Sequence, residues 1–265
     1  MTVKHKNEET HMLRKTGRRL AVARCPLYEQ VRNVLVERLR HGDWHPGDRL
    51  PTESVLAEEL GVSLGTLRRA VELLVEEGAL IRRQGAGTFA ATLATVAEEN
   101  RFQPFESLDG STRFDFRRLV LLEEAPCPAE AAAGLGIRAG DTVIHMVRHM
   151  VKRTTEGERI AASDEIFLLP EFFPGLTAER YRRGYRPDDS IYRFYAREMG
   201  VVITSQRCAV RYECVKGSEA VRLAVPDPMP VLRFARISMA FGHLPVEYRI
   251  YRLDAENSQI CFALP

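Results

Sequence analysis

At 265 residues the chain is long enough for two domains, and with 45% apolar and 28% charged residues it has the composition of an ordinary globular protein rather than a disordered or fibrous one. Its net charge of +2 is nearly neutral, so any nucleic-acid binding must rest on positive charge gathered locally. No apolar run approaches the ~18 residues of a membrane span, no signal-peptide core is evident, and the five cysteines include no Cys-x-x-Cys, which together lead us to expect reduced thiols and a cytoplasmic location.

Residues 1–24 carry Lys4, Lys6, Arg14, Lys15, Arg18, Arg19 and Arg24 against Glu8 and Glu9. Such an arm would gain free energy by displacing counterions from DNA; a frayed solubilising terminus is the alternative. Residues 25–91 then read as one small domain. Val31, Val34, Leu35 and Leu39 recur at helical spacing from Leu27 to Arg40, and Gly42 breaks the pattern. Pro46 to Pro51 is a turn followed by an extended piece. Thr52 caps a helix over Glu53 to Leu60, with Val55, Leu56 and Leu60 on one face, and Gly61 stops it. Ser63 caps the next, whose stripe Leu67, Val71, Leu74 and Val75 ends at Gly78. Ala79 to Arg83 and Thr88 to Ala91 are strands around the tight turn Gln84-Gly85-Ala86-Gly87.

Three helices, with a two-residue break between the second and third, and a two-stranded wing make a winged helix-turn-helix, whose third helix enters the DNA major groove. Its open face offers Ser63, Gly65, Thr66, Arg68 and Arg69, and the wing offers Arg82, Arg83, Gln84 and Gly85. Arginine supplies paired hydrogen bonds to guanine edges or charge for phosphate, and hydroxyls suit phosphate oxygens. An isolated Arg-Arg pair is more often a solvated face; the ordered turn, helix and basic wing decide for DNA.

Residues 92–100 are read as a linker and residues 101–265 as a second domain. Strands are expected over Leu119 to Leu122, Thr142 to Lys152, Arg159 to Leu168, Ile203 to Val215, Val231 to Phe241, Val246 to Leu253 and Gln259 to Ala263. Helical segments are expected over Pro128 to Leu135, within Pro170 to Arg182, and over Asp189 to Glu198 with Ile191, Phe194 and Tyr195 facing the core. The fold class is therefore α+β, an antiparallel sheet covered on one side by helices. Ile144, Met146, Arg148 and Met150 share one strand face, and a buried guanidinium needs either a carboxylate in the protein or an anionic ligand. His145 and His149 occupy the other face with no third ligand at convincing spacing, so neither a metal nor a cofactor is expected. Cys208 and Cys214 are read as small buried hydrophobes, with redox or metal sensing as the alternative.

From Pro46 to Phe89 the motifs Pro46-Gly47-Asp48-Arg49-Leu50-Pro51-Thr52-Glu53, Leu56-Ala57-Glu58-Glu59-Leu60-Gly61-Val62-Ser63, Thr66-Leu67-Arg68-Arg69-Ala70 and Gly78 through Phe89 resemble the DNA-binding domain of GntR-family bacterial transcription regulators. The resemblance implies DNA contacts at Ser63, Thr66, Arg68 and Gly85. The chain departs from that pattern at Leu64 and Ser54, where the family usually has arginine, which implies an altered operator. The later portion is similar to the UTRA effector-binding domain of the HutC branch, with a chorismate-lyase-like fold. The similarity rests on Leu135-Gly136-Ile137, Gly140-Asp141 before the strand bearing Arg148, Leu169-Pro170 with Phe173-Pro174-Gly175-Leu176, and Pro245-Val246-Glu247 followed by Tyr251-Arg252-Leu253-Asp254.

That resemblance implies a small-molecule effector whose acidic or phosphate group meets Arg148, with Glu165 and Glu247 accepting hydrogen bonds from ligand hydroxyls or amines. The methionine at 150, where a second arginine is common, favours a less charged or more apolar effector. The reading is a homodimeric repressor on an inverted-repeat double-stranded operator. The alternatives are a DNA-tethered enzyme of lyase-like fold and a constitutive DNA-binding protein with a vestigial pocket.

Overall fold

The computed structural model describes residues 25–92, 105–108, 114–186 and 190–261. The expected basic arm 1–24, residues 93–100 of the expected linker, Asp189 at the expected start of a helix, and residues 262–263 of the expected last strand lie outside the described residues.

The first unit comprises α1 (Leu27–His41), α2 (Glu53–Glu59), α3 (Leu64–Glu76) and the antiparallel pair β1 (Leu80–Arg83) and β2 (Gly87–Ala90). Both expected caps form: the Thr52 hydroxyl accepts from the Val55 amide at 3.4 Å, and that of Ser63 from the Thr66 amide at 3.1 Å. Leu35, Leu56, Leu67 and Leu74 meet in one core with Val31, Val71 and Leu80. The apolar stripes are narrower than the spacing suggested, because Val34 and Val55 are exposed while Val36 is buried. The extended segment before Pro51 is a third edge of the wing: Arg49 bridges to Phe89, and the Leu50 amide donates to the Thr88 carbonyl at 2.9 Å.

The second unit is a six-stranded antiparallel sheet. Its strands are β4 (Phe116–Pro126), β5 (Thr142–Thr154), β6 (Gly157–Leu168), β7 (Ile203–Val215), β8 (Met229–Ala240) and β9 (Leu244–Asp254), in the order β4-β5-β6-β9-β8-β7. A separate pair joins β3 (Phe105–Ser107) to β10 (Ser258–Ile260). Helices α4 (Ala129–Leu135), α5 (Ala178–Gly184), α6 (Ile191–Met199) and α7 (Ser218–Leu223) complete the unit.

The expectation of helices on one side of the sheet is corrected. Ile144, Met146, Ile166 and Leu168 pack with residues of α5 and α6, whereas Val143, Phe167, Tyr248 and Ile250 pack with α4, and Val147 and Val231 with α7. Successive residues of a strand point to opposite faces, so both faces of this sheet are covered. Residues 146–151 of β5 and 161–168 of β6 are accordingly buried without a break, since a strand covered on both sides does not alternate. Cys208 and Cys214 are a second correction: both are exposed, because β7 is an edge strand.

The two units touch. The tip between β8 and β9, Phe241-Gly242-His243, holds three consecutive positive φ values of 48°, 76° and 68°. Phe241 packs against both cores. Arg32 of α1 pairs with Glu77 at 2.7 Å and also donates to the Gly242 carbonyl, so the hairpin tip is held against α1 and the carboxyl end of α3. Arg40 lies over the Phe172 ring, 5.7 Å from its centroid, at a second point of contact.

Candidate functional site

The amino end of α3 and the wing form one exposed surface. Ser63, Leu64, Gly65, Arg68 and Arg69 are exposed and Thr66 is half-buried. The Ser63 and Thr66 hydroxyl oxygens lie 2.8 Å apart at the amino end of the helix, where the Ser63 oxygen also accepts from the Thr66 amide. Gly65 has no neighbouring atom nearer to an added Cβ than the Ser63 hydroxyl at 3.9 Å, which lets another backbone approach closely.

A residue with no assigned role in the sequence joins the α3 and wing halves of this surface. Glu53, the first residue of α2, accepts from Arg68 at 3.2 Å and from Arg82 at 2.5 Å. One carboxylate thus holds an arginine of α3 and a wing arginine together, and the adjoining groove of ≈ 390 Å³ is lined by Glu53, Arg82, Arg49, Arg83, Gln84 and Gly85. Arg83 is stacked over Phe89 at 4.8 Å. Arg69 turns along its own helix toward Glu72 and Glu76, at 3.4 and 3.8 Å. Arg49 is a second residue without an assigned role: it approaches the wing through a strand pairing, and nothing local in the sequence signals that pairing.

A second constellation lies inside the sheet domain, on the face covered by α5 and α6. Arg148 on β5 stands directly opposite Asp164 on β6 and is ion-paired with it. Arg249 on β9 grips the same carboxylate with two bonds, of 2.6 and 2.7 Å. The three groups are at most 1% exposed. The protein itself therefore supplies a carboxylate partner for Arg148. Burial opposes the charge on Arg148, but Tyr181 and Asp164 outweigh it and keep the guanidinium protonated. Burial likewise opposes ionisation of Asp164, and Arg249 and Arg148 overcome it, holding the carboxyl below its ordinary range.

Glu247, two residues before Arg249, is reached by hydroxyls. Tyr195 donates to it at 2.9 Å, Tyr192 at 3.2 Å and Ser238 at 2.7 Å. Arg249 donates to the Tyr192 hydroxyl at 2.9 Å and Arg148 to that of Tyr181 at 3.3 Å, so both arginines and both carboxylates belong to one buried network roofed by α5 and α6. Within it the Nε of Arg148 is buried and makes no hydrogen bond.

The structure does not bring Glu165 to this place. It faces the other side of the sheet, where it accepts from His145 at 3.2 Å, from Arg252 at 2.9 Å and from Arg222. Asp164, its neighbour, occupies the position expected of it. His149 instead bonds to the Leu223 carbonyl at 2.8 Å, so the two histidines diverge to separate partners. Burial would raise the Glu165 carboxyl, but the bonds from His145 and Arg222 and the charge of Arg252 lower it to about 2. A lowered folded-state value means stability that is complete above the ordinary carboxyl range and lost as pH falls toward about 2. Acid titration of the unfolding transition should show Glu165→Gln levelling part of that loss. The full difference is about 3 kcal/mol as an upper bound, since the exposed Arg222 is screened by solvent. An unchanged acid limb would show that Glu165 does not carry this linkage.

Comparison with known proteins finds two family matches. Residues 27–90 match the bacterial regulatory proteins of the gntR family, and residues 117–257, more than half of the chain, match the UTRA domain. The histidine utilization repressor of Pseudomonas putida is 35% identical over 124 residues, covering 46% of this chain and 49% of that one. That of Klebsiella aerogenes is 44% identical over 124 residues, covering 46% and 52%. The alignment thus spans about half the length of these relatives. A protein of Escherichia coli K12 named as the transcriptional regulator PhnF is 27% identical over 227 residues, covering 84% of this chain and 89% of that one. Among solved structures, the ligand-binding domain of a protein from Bordetella bronchiseptica superimposes with a TM-score of 0.52 at 23% identity. It covers 61% of this chain and 96% of that one, a likeness of fold.

Proposed function

The chain belongs to the GntR family of bacterial regulatory proteins and carries a UTRA domain, and from that premise we propose that it is a homodimeric transcriptional repressor released from, or secured on, its operator by a small molecule bound among Arg148, Arg249 and Glu247. The observation that carries the effector half is the buried, unbonded Nε of Arg148 beside a network of displaceable tyrosine hydroxyls. An acidic or hydrogen-bond-accepting group entering there would take up the open donor and compete with Tyr181 for the guanidinium. Ligand hydroxyls or amines would take the place of Tyr192 and Tyr195 on Glu247. Asp164 already neutralises part of the local charge, which favours an effector of low charge over a doubly charged phosphate. The DNA half rests on α3 and the Glu53-linked arginines, with the repressor names of the relatives in support. The protein would act in the cytoplasm, at the nucleoid, and those relatives, regulators by name, give no ground for assigning it a catalytic step.

The route between sites is the β8–β9 hairpin. Ser238 and Glu247 face each other within it, and its tip is the piece clasped by Arg32 and Glu77. A ligand that moves Glu247 therefore acts on the same two strands that hold the winged domain. Gly242→Val tests this coupling. A Cβ there would lie 2.5 Å from a Glu77 carboxylate oxygen and 2.9 Å from Arg32, at a φ of 76° that a branched residue resists. Operator affinity without ligand is expected within a few-fold of wild type, with the ligand-dependent change lost. A full ligand response in this variant would exclude the route.

The reading as a whole is tested by selecting operators from random DNA and screening amino acids, urocanate-like acids, sugar phosphates, phosphonates and fatty acids by thermal shift, since a ligand of the native state raises its melting temperature. A selected inverted repeat and a hit abolished by Arg148→Ala are the expected results. The common family half-site would refute the altered operator, and absence of any selected sequence would refute the regulator reading itself.

A further inference from the structure

The sheet ends at β7, and that end is built differently from the opposite one. β4, the other edge, is interrupted by a register shift between Leu119 and Leu121. In β7 the only shift lies at its start, and from Ser205 to Val215 it keeps an unbroken register with β8. Residues 207–212 are all exposed, including Val210 at 45% and Tyr212 at 66%. Long, straight, apolar edges invite another strand, and proteins that keep such edges free usually blunt them with bulges or charges.

The charges here are arranged for pairing. A two-fold axis perpendicular to the sheet would set β7 antiparallel to the same strand of a second copy and keep each face with itself, so only residues of equal parity can meet. With the axis at Val210, Arg207 of each copy stands opposite Glu213 of the other, Val210 opposite itself and Cys208 opposite Tyr212. Moving the axis to Ala209 sets Arg207 against Arg211, and moving it to Arg211 sets that residue against itself. An axis at Tyr212 would set Arg211 against Glu213 but could pair only residues 209–215, so the register at Val210 is the one that joins opposite charges twice along the whole unbroken stretch 205–215, and cross-strand pairs of this kind help to select a register. Glu213 is held in place by Arg211 at 3.1 Å and Arg252 at 3.4 Å, while Arg207 has no ion pair among the described residues.

We propose that β7 is the homodimer interface: two copies join edge to edge through residues 205–215 about a two-fold at Val210, making one continuous sheet across the dimer. This rests on the homodimer reading above and names the surface that serves it. It would also tie the two winged domains to a common rigid platform, with each β8–β9 hairpin beside the junction.

Sedimentation velocity of the full chain across the micromolar range tests it. Arg207→Glu, which sets glutamate against Glu213, and Val210→Lys, which sets lysine against lysine, should each weaken the dimer at least about tenfold. Both side chains are exposed, so the circular dichroism spectrum should be unchanged, and Val221→Lys on α7, at a residue 79% exposed, should dimerise as wild type. A positive test uses Val210→Cys in a Cys208→Ser/Cys214→Ser background. Residues opposite each other across such a pair have Cα atoms roughly 4.5 to 5.5 Å apart, within reach of a disulfide. Diamide, as the oxidant accepting the two thiol hydrogens, should yield a covalent dimer, which Val221→Cys in the same background should not. A wild type that dimerises, with both charge variants at wild-type affinity and no cross-link, would overturn the β7 interface and leave the dimer reading standing. A monomeric wild type would remove both.

Discussion

Asp164→Ala is expected to lower the stability of the sheet domain by about 3–5 kcal/mol, because it leaves two guanidiniums buried without their shared counter-charge. Arg148 and Arg249 are each 1% exposed and neither can shed its proton, so the cost cannot be relieved by neutralisation. Urea denaturation followed by two probes would locate the effect. Trp44, the single tryptophan, packs against the core of the winged domain, while Tyr181, Tyr192, Tyr195, Tyr248 and Tyr251 are buried in the sheet domain and give it a near-ultraviolet probe of its own. The tyrosine transition should move to lower urea and the tryptophan transition much less. Removing both cations as well, as Arg148→Met/Asp164→Leu/Arg249→Met, should restore most of the stability, since a buried ion cluster is worth little against well-packed apolar groups. If Asp164→Ala unfolds at the wild-type urea concentration, the network is hydrated and the closed site described above is wrong.

The second large effect is expected on DNA. Arg68→Ala should weaken binding to the selected operator by about 1–3 kcal/mol per half-site, hence roughly a hundredfold or more for a dimer that uses two. The arginine is presented by α3 and held at 3.2 Å by Glu53, so it meets the groove already oriented. Arg69, drawn toward Glu72 and Glu76, is placed for phosphate contact. Arg69→Ala should act almost equally on all sequences and reduce the salt dependence by about one contact per half-site. Anisotropy titrations over a range of salt separate the two behaviours. Equal loss on specific and random DNA for Arg68→Ala would demote it from base reading to charge.

The winged domain was almost wholly legible from its residues, because each decision in it is local. Ser63 and Thr52 cap the helices they precede, glycines follow each helix, and the Leu67, Val71 and Leu74 stripe is a matter of three- and four-residue spacing. What the spacing could not choose was the margin of a stripe: Val36 is buried and Val34 exposed because a partner helix decides which flank is covered. Glu53 and Arg49 were legible only as members of a motif, for the same reason. Their roles come from Arg68, Arg82 and Phe89, which approach through tertiary packing.

In the second domain, long strands such as Ile203 to Val215 were readable from composition, but α7, with its six residues, and the three-residue strand β3 were too short to show a period. Arg148 and Glu247, which meet in the buried network, were both singled out in the sequence, the first as a lone cation on an apolar strand face and the second by resemblance. Whether Asp164 or Glu165 would join them could not be read, because adjacent carboxylates differ only in which face of β6 each points to, and that face is set by pairing with β5 and β9. The amino-acid sequence by itself determined the order of the units, their class and the chemistry of the reading helix, all consequences of short-range torsional and apolar preferences. The tertiary structure alone decided which carboxylate closes the buried site, which hairpin touches the winged domain and which strand is left at the edge, since each depends on strand order, and strand order is settled by contacts between residues far apart in the chain.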